Sequence, residues 1–389
     1  SQNKIDESLY QESLDHPIND DYVMDSLHHV SAKDGESLGE NSRVVSLSDG
    51  GYLVLYSGHD QKSIGVKAIH YDENNTIIND SIVLLENSSV EGEIHWNKTQ
   101  LFHYHSNAFV ELANGHFVLL YRDGSDSNLN YVYQMYDSEF NPIGSPLNAA
   151  EATAEDVIIG GGSYINFSEE NIIANDDGGF TIIWETPVNS ESNPDGIKLM
   201  GQRFNDTGQQ NGQVFEIAET RSDYAFNRPV IETLPNGQMI IVWSEQIEGS
   251  PTSTWNEGRY ELMAQMIDAN GQKVGGSIRI DGMSIDSYRA HNPRMTVLND
   301  GKVAVTFYQM DGQNSSSVHS MAVVLDTDGT PLSSAFDVAG DSISVYSETL
   351  SGDILATENG GFFVTWSGRA NGNRDVWGRY FDSDGEPVG

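Results

Sequence analysis

The residues best suited to bind a ligand are tyrosines with polar neighbours, which recur in five segments of the chain. Aromatic rings stack on the apolar faces of sugars or peptides, while Asn, Arg, His and Glu side chains orient such ligands. An alternative is that these tyrosines wedge between structural units and cap loop backbone with their hydroxyls. The candidate ligand-binding residues are Tyr104, His105, Tyr164, Tyr224, Arg228, Tyr288, Arg289, His291, Tyr346 and Glu348.

Trp255 is a further candidate, because its Ser-, Thr- and Gly-rich segment offers no evident core for an indole ring. It either covers the ligand site or packs on the flank of its own unit. A residue type that recurs from unit to unit is typical of structure, so the variable members of the set are the stronger candidates. These are His105, Arg228, Arg289 and His291.

A lyase for acidic polysaccharides is the enzymatic alternative, because elimination next to a uronate requires a base and a cation that neutralises the carboxylate. The chain offers bases at His105, His291, Tyr104 and Tyr288, and cations at Arg228 and Arg289. Glycoside hydrolysis needs two facing carboxylates, and the available glutamates stand unpaired in the sequence: Glu185, Glu245 and Glu348. No Gly-x-Ser-x-Gly, His-Glu-x-x-His or phosphate-loop motif occurs, so the sequence favours binding over catalysis.

Calcium is the expected metal, if one is bound. His103 and His105 would share one side of a strand, but a zinc site needs a third ligand nearby and none is evident. Six aspartates follow part of the pattern of a calcium-binding loop, so each is either a weak calcium ligand or an ordinary turn residue. They are Asp123, Asp126, Asp326, Asp328, Asp382 and Asp384.

The net charge is −38, from 58 acidic and 20 basic residues. A field of this sign repels phosphate backbones and anionic membrane surfaces, so we expect no nucleic-acid partner. Cysteine is absent, which excludes disulfides, thiolate metal sites and a cysteine nucleophile. No apolar run reaches the length of a membrane span. This composition is common among exported bacterial proteins and predicts an extracellular or cell-surface location.

A repeat of about 60 residues must position these candidates. In each of six units, a turn glycine is followed by an aromatic residue that closes a short apolar strand. The pairs are Gly50–Tyr56, Gly115–Tyr121, Gly178–Trp184, Gly237–Trp243, Gly301–Phe307 and Gly360–Trp366. Consecutive glycines are 59 to 65 residues apart, so six units account for nearly the whole chain.

Each unit reads as four antiparallel strands. The first runs into Asp-Gly or Asn-Gly, a dipeptide that favours the positive φ angles of a tight hairpin. The second is apolar on both faces, as sheets packed between neighbouring sheets require. The third ends at an Asp or Asn turn, and the fourth is outermost and most polar. The prediction is therefore an all-β, six-bladed β-propeller, with a seventh blade as the structural alternative.

The sixth unit stops after its third strand and the turn that follows, so its outer strand is missing. Residues 21–27 offer a replacement, and we expect this N-terminal strand to complete the last blade and lock the ring. The domain prediction is an N-terminal segment, 1–40, that contains the ring-closing strand, and a propeller, 41–389. Together they form a single domain.

The loops between second and third strands differ in length from unit to unit. The turns between first and second strands, and those between third and fourth strands, are short and nearly uniform. The loops and the turns lie on opposite faces of a propeller. Because function concentrates in variable loops, we expect the ligand at this variable face.

The sixth unit contains the segments NGGFFVTWS (359–367) and VWGRYFDSDGEPVG (376–389), and the third contains the similar LMGQRF (199–204). These segments resemble a repeat of large secreted bacterial proteins, the calcium-dependent RTX-type adhesins and haemolysin-like surface proteins. The resemblance implies a propeller module but assigns no binding residue, since a fold motif does not define function.

The sequence therefore predicts an extracellular ligand-binding module of a bacterial adhesin-like protein, which binds a glycan or a peptide at its variable face. The module is expected to be a monomeric part of a larger chain, without membrane insertion and with calcium as its one expected cofactor. A lyase for acidic polysaccharides and a purely structural spacer are the alternatives.

Overall fold

The structure, a computed structural model, describes residues 37–59, 64–86, 109–125, 128–149, 172–187, 197–219, 227–248, 259–282, 287–311, 318–340, 344–345, 353–370 and 373–388. Six antiparallel sheets of four strands form the blades of an all-β propeller. The predicted six-bladed fold is confirmed. Within these ranges, no helix is long and apolar enough to cross a membrane.

The first three blades follow one another along the chain. The first contains β1 (Ser37–Ser46), β2 (Tyr52–His59), β3 (Ile64–Tyr71) and β4 (Ile77–Glu86). The second contains β5 (Phe109–Glu111), β6 (Phe117–Ser125), β7 (Asn128–Tyr136) and β8 (Pro142–Asn148). The third contains β9 (Ile172–Ala174), β10 (Phe180–Pro187), β11 (Ile197–Phe204) and β12 (Phe215–Glu219).

The last three blades repeat this order. The fourth contains β13 (Asn227–Thr233), β14 (Met239–Glu248), β15 (Arg259–Ile267) and β16 (Lys273–Arg279). The fifth contains β17 (Ser287–Val297), β18 (Val303–Asp311), β19 (Val318–Leu325) and β20 (Phe336–Asp337). A short strand, β21 (Ser344–Val345), bridges to the sixth blade, which contains β22 (Ile354–Ala356), β23 (Phe362–Ala370), β24 (Asn373–Phe381) and β25 (Pro387–Val388).

A glycine with positive φ ends the first turn of every blade, with φ from 76° to 94°. In the third blade, Gly178 N donates to Asn175 O at 3.0 Å and Asn175 N donates to Gly179 O at 2.8 Å. The Asp or Asn before each turn glycine does not have positive φ. The turns are therefore wider than the tight hairpins expected from the Asp-Gly and Asn-Gly dipeptides, and glycine alone adopts the left-handed conformation.

The blades pack face to face through apolar residues of their second and third strands. In β10, Phe180, Ile182 and Trp184 join a core shared with the first two blades, whereas Ile183 joins a core shared with Ile241 of the fourth blade. Two further cores connect the fourth blade to the fifth and the fifth to the sixth. The face of β10 that carries Ile183 is thus the one that meets the fourth blade.

The strand β25 occupies the outer position of the sixth blade, so the sixth unit supplies the start of its own fourth strand. This strand pairs only with Tyr380 and Phe381, at the end of β24, while Val376 earlier in β24 is 78% exposed. The first blade starts at Ser37, inside the predicted segment 1–40. The ring-closing strand 21–27 lies outside the described residues and stays a prediction.

Candidate ligand-binding site

Most of the residues predicted to bind a ligand lie outside the described part of the chain. These are Tyr104, His105, Tyr164, Tyr224, Trp255, Tyr346 and Glu348. Arg228 belongs to β13, and Tyr288 and Arg289 belong to β17, but the structure describes their backbone alone. A binding role for these residues stays a prediction.

His291 has a described, half-buried side chain. Its ring centre lies 4.4 Å from that of Tyr260, with an angle of 53° between the rings. Tyr260 belongs to the fourth blade and His291 to the fifth, so this contact joins two blades. The backbone is irregular at the same place, where Asn292 has a φ of 53°. The surroundings of His291 give it a structural role, and its part in ligand binding stays a prediction.

The aspartates in the turns after the third strands stabilise these turns. Asp382 Oδ1 accepts hydrogen bonds from the backbone N–H groups of Asp384 and Glu386 at 3.0 and 2.9 Å. Asp328 Oδ1 accepts from the hydroxyl and the backbone N–H of Thr330, and these hydrogen bonds lower the pKa of Asp328. Such contacts are those of an ordinary turn residue.

The remaining calcium candidates are in a similar position or are not described. Asp326 Oδ1 accepts from the backbone of Thr327, while Asp126 and the side chain of Asp123 lie outside the description. Where side chains are described, no group of three or more His, Asp or Glu that could hold a metal ion is found. Calcium binding stays a prediction.

A cavity of about 730 Å³ lies on the face that carries the uniform turns, between the third and fourth blades. The third blade contributes Asn175, Asp176, Asp177 and Arg203 to its lining, and the fourth contributes Pro235, Asn236 and Ala269. Ligand pockets in proteins typically have volumes of about 300 to 1,000 Å³. The cavity is therefore large enough for a small ligand or one end of a larger one.

Three equivalent positions surround the turn end of every blade: the residue before the first turn, the second residue of the second strand, and its cross-strand partner on the third strand. In the second and fourth blades all three are buried apolar residues, namely Leu112, Val118 and Met135, and Leu234, Ile240 and Met266. The third blade has Asn175, Thr181 and Arg203 at these positions. They are buried as well, at 7%, 0% and 8% exposure.

This polar cluster, Asn175, Thr181 and Arg203, is a departure from the repeat. The equivalent positions are described in all six blades, and the third alone is polar at all three. Burial of polar groups at positions that the neighbouring blades fill with apolar side chains costs stability unless the groups are paired. A function at this position is therefore the simplest reason for the exchange.

A methionine packs under the turn glycine of the next blade at two other junctions, whereas Phe215 takes that place at this one, 2.6 Å from a Cβ atom added to Gly271. A Cβ atom added to Gly208 of the third blade would lie 2.5 Å from Met135 Sδ of the second. A Cβ atom added to Gly329 of the fifth blade would lie 3.1 Å from Met266 Sδ of the fourth. The methionine thus packs under the turn of the next blade, whereas Arg203 at the same position lines the cavity.

Asn175 and Arg203 each retain a buried donor without a partner. Thr181 Oγ1 donates to Asn175 Oδ1 at 2.9 Å, and Arg203 Nη2 donates to Asp177 Oδ2 at 2.6 Å. Asn175 Nδ2 and Arg203 Nε are buried and have no hydrogen-bond partner. A buried unpaired donor costs about 1–3 kcal/mol, and such groups are rare in folded proteins. These two residues also line the cavity, which leaves room for an acceptor.

The surroundings of the cavity are slightly negative. Arg203 is paired with Asp177, and the exposed Asp176 adds a second carboxylate on the same turn. Across the junction, backbone hydrogen bonding from Gln272 lowers the pKa of Asp268, and the positive charge of Arg203 contributes a smaller lowering. The guanidinium is thus offset by carboxylates, and the cavity does not favour an anion.

Sequence reasoning missed this cluster because uniform turns were interpreted as purely structural. A signal was present in the alignment of the repeats, in which the residue before the first turn is leucine in four units and asparagine in the third. The leucines are Leu47, Leu112, Leu234 and Leu298. Their uniformity makes Asn175 recognisable as an exception.

No protein-family model and no curated protein matches the chain. Among solved structures, it resembles a protein of unknown function from Dyadobacter fermentans, at 10% identity and a TM-score of 0.48, over 90% of this chain and 95% of that one. It also resembles an endo-arabinase from Bacteroides thetaiotaomicron, at 12% identity and a TM-score of 0.39, over 75% and 93% of the two chains. A mutant levansucrase from Bacillus subtilis matches at 11% identity and a TM-score of 0.42, over 80% and 90%. At these values the likeness assigns no activity to this chain.

The prediction of an adhesin-like module that binds at its variable face is wrong. The similar structures of named activity given above are carbohydrate-active enzymes and not RTX-type adhesins. The cavity, moreover, lies among the uniform turns and not among the loops of variable length. The lyase and spacer alternatives are no better supported.

Proposed function

We propose that this propeller binds a glycan and that a sugar unit occupies the cavity between the third and fourth blades. The observation that carries the proposal is the polar cluster at positions that are apolar in the neighbouring blades. Its unpaired donors destabilise the free protein, and an acceptor on a ligand would restore their hydrogen bonds.

A glycan suits the chemistry of the lining. Amide, carboxylate and guanidinium groups line the cavity, and together they offer donors and acceptors for the neighbouring hydroxyl groups of a sugar. Pro235 and Ala269 add a small apolar surface for its C–H groups. A metal ion is disfavoured because the unpaired atoms are N–H donors, and an anion is disfavoured because two carboxylates face one guanidinium.

A glycan array with two matched variants tests the proposal. The variant Asn175→Leu, Thr181→Val, Arg203→Met gives the third blade the residues of the second, and we expect its binding to fall by about tenfold or more, the loss of at least one good hydrogen bond. Asn299→Ala removes an exposed turn amide of the fifth blade that bonds to Glu358 O at 3.2 Å, and it should bind as the wild type does. An array on which the wild type binds no glycan, or on which the triple variant keeps every ligand, would refute the proposal.

Export and calcium binding are proposals that rest on composition. The absence of cysteine and the net charge of −38 support an extracellular location, and the excess of acidic residues supports a bound calcium ion. Elemental analysis of protein purified without chelator measures the calcium, and fractionation of the native host measures the location. Light scattering checks the expected monomer.

A further inference from the structure

We infer that the sugar bound in this cavity carries an acetamido group, so that the ligands are glycans with N-acetylated sugars. This inference rests on the proposed function and adds the ligand class. It is carried by the chemical identity of the two unpaired atoms, both of which are nitrogen donors.

Thr181 sets the orientation of the first donor. Its hydroxyl donates to Asn175 Oδ1 at 2.9 Å, which leaves Nδ2 as the free end of the amide. The strand register places Thr181 directly opposite Arg203, so Asn175 and Arg203 flank one threonine on the face of β10 that meets the fourth blade. Both residues line the cavity, and each retains one unpaired donor.

A carbonyl oxygen accepts hydrogen bonds from two donors better than a hydroxyl does. It has two lone pairs and no hydrogen of its own, whereas a hydroxyl must also place its proton on an acceptor. The nearest candidate acceptor, Asp177, already accepts from Arg203 Nη2 at 2.6 Å and from the backbone N–H of Gly179 at 3.1 Å. Among common substituents of sugars, the acetamido group supplies a neutral carbonyl.

A carboxylate would also supply acceptor oxygens, but the local charge opposes it. Asp176 and Asp177 stand on one turn against the single guanidinium of Arg203, and like charges in a confined site repel. The methyl end of an acetamido group is matched as well, because Pro235 and Ala269 place apolar atoms in the lining. The carbonyl end of the acetamido group is thus matched by the nitrogen donors, and its methyl end by the apolar atoms.

The ligand reaches the donors by displacing the carboxylate of Asp177 from Arg203. Arg203 Nη2 and Asp177 Oδ2 are 2.6 Å apart, but the side chain of Asp177 is 46% exposed. The carboxylate of Asp177 can therefore rotate into solvent, but the buried guanidinium of Arg203 then needs an acceptor from the ligand. The acetamido carbonyl accepts from Arg203 Nε, so the guanidinium keeps a hydrogen bond to an acceptor.

Calorimetric titration with paired sugars tests the inference. The probes are the methyl glycosides of N-acetylglucosamine and N-acetylgalactosamine, of glucose and galactose, and of glucuronic acid. We expect the wild type to bind an acetamido sugar about tenfold tighter than the parent hexose, as expected for one added hydrogen bond. In Asn175→Asp, which keeps the oxygen bound by Thr181 but removes the amide donor, the preference should disappear. Asn175→Leu, which adds no buried charge, should lose it as well.

The outcomes separate the inference from the proposed function. Equal affinity for each acetamido sugar and its parent hexose would overturn the inference and leave glycan binding intact. Tighter binding of the uronic acid would overturn it in favour of an anion site. Wild-type preference for the acetamido sugar that both Asn175 variants retain would also overturn it, since the donor would then lie elsewhere. Absence of binding to every sugar, together with an empty glycan array, would overturn both.

Discussion

Replacement of the polar cluster by the residues of the second blade is expected to stabilise the fold. The variant is Asn175→Leu, Thr181→Val, Arg203→Met, and each new residue already occupies the equivalent buried position of the second blade. Functional sites often reduce stability, so a repeat that has been restored to its apolar form should regain it.

The magnitude follows from the contacts of the cluster. Removal of two buried unpaired donors relieves about 2–6 kcal/mol. Against this, the variant loses the Thr181–Asn175 hydrogen bond, about 1 kcal/mol, and the pair of buried Arg203 with half-exposed Asp177, at most about 1 kcal/mol. Imperfect packing beside the cavity costs about 1–2 kcal/mol more. The midpoints of these contributions give an expected net increase of about 1 kcal/mol in the free energy of unfolding.

Guanidinium unfolding followed by tryptophan fluorescence measures this change as a shift of the midpoint to higher denaturant. The matched control is the reverse exchange in the second blade, Leu112→Asn, Val118→Thr, Met135→Arg. It places the same polar groups where Met135 packs under Gly208, and it should lower the midpoint. If the third-blade variant unfolds at a lower denaturant concentration than the wild type, the cluster stabilises the fold and the reasoning from unpaired donors is refuted.

Three further predictions concern other parts of the fold. A hydrogen bond from Lys198 lowers the pKa of Glu216, and Lys273 adds to the effect. The stabilisation by this carboxylate is therefore present above its usual pKa of 4.5 and is lost as pH falls. In urea unfolding, Glu216→Gln should lower stability by about 0.5 kcal/mol at pH 7 and have no effect near pH 3. An equal effect at both would contradict it. Burial raises the pKa of Tyr133 from 10.0 to about 12. The wild type should therefore lose stability as pH rises from 10 to 12, because the unfolded chain releases this proton first. Thermal unfolding across that range measures the loss, and a Tyr133→Phe variant whose stability falls with pH as steeply as that of the wild type would contradict the prediction. Val23→Pro should lower the melting temperature if residues 21–27 close the ring, whereas Ser8→Pro should not. Equal melting temperatures of the two variants would contradict the prediction of a ring-closing strand.

The fold was predictable because its signals are local and repeated. A turn glycine such as Gly178 is recognisable from its neighbours, and an apolar strand such as β10 is recognisable from composition alone. Six copies of the same signal make errors in single units unimportant. The turn type was harder, because Asp-Gly suits both a tight hairpin and a wider turn in which only the glycine has positive φ.

The candidate site was not predictable to the same degree. Asn175, Thr181 and Arg203 become neighbours only once the register of β10 against β11 is known. The cavity depends in addition on how the fourth blade's turns meet Arg203, which no local pattern reports. Variation in loop length favoured the opposite face as the ligand site. The third blade instead differs from the repeat in three side chains, on elements of ordinary length.

A crystal structure of the protein with a glycan from the array tests the central claim most directly. The account predicts sugar density between the third and fourth blades, with acceptor atoms within hydrogen-bond distance of Asn175 Nδ2 and Arg203 Nε. Sugar bound only at the opposite face, with both nitrogens still unpaired, would contradict it.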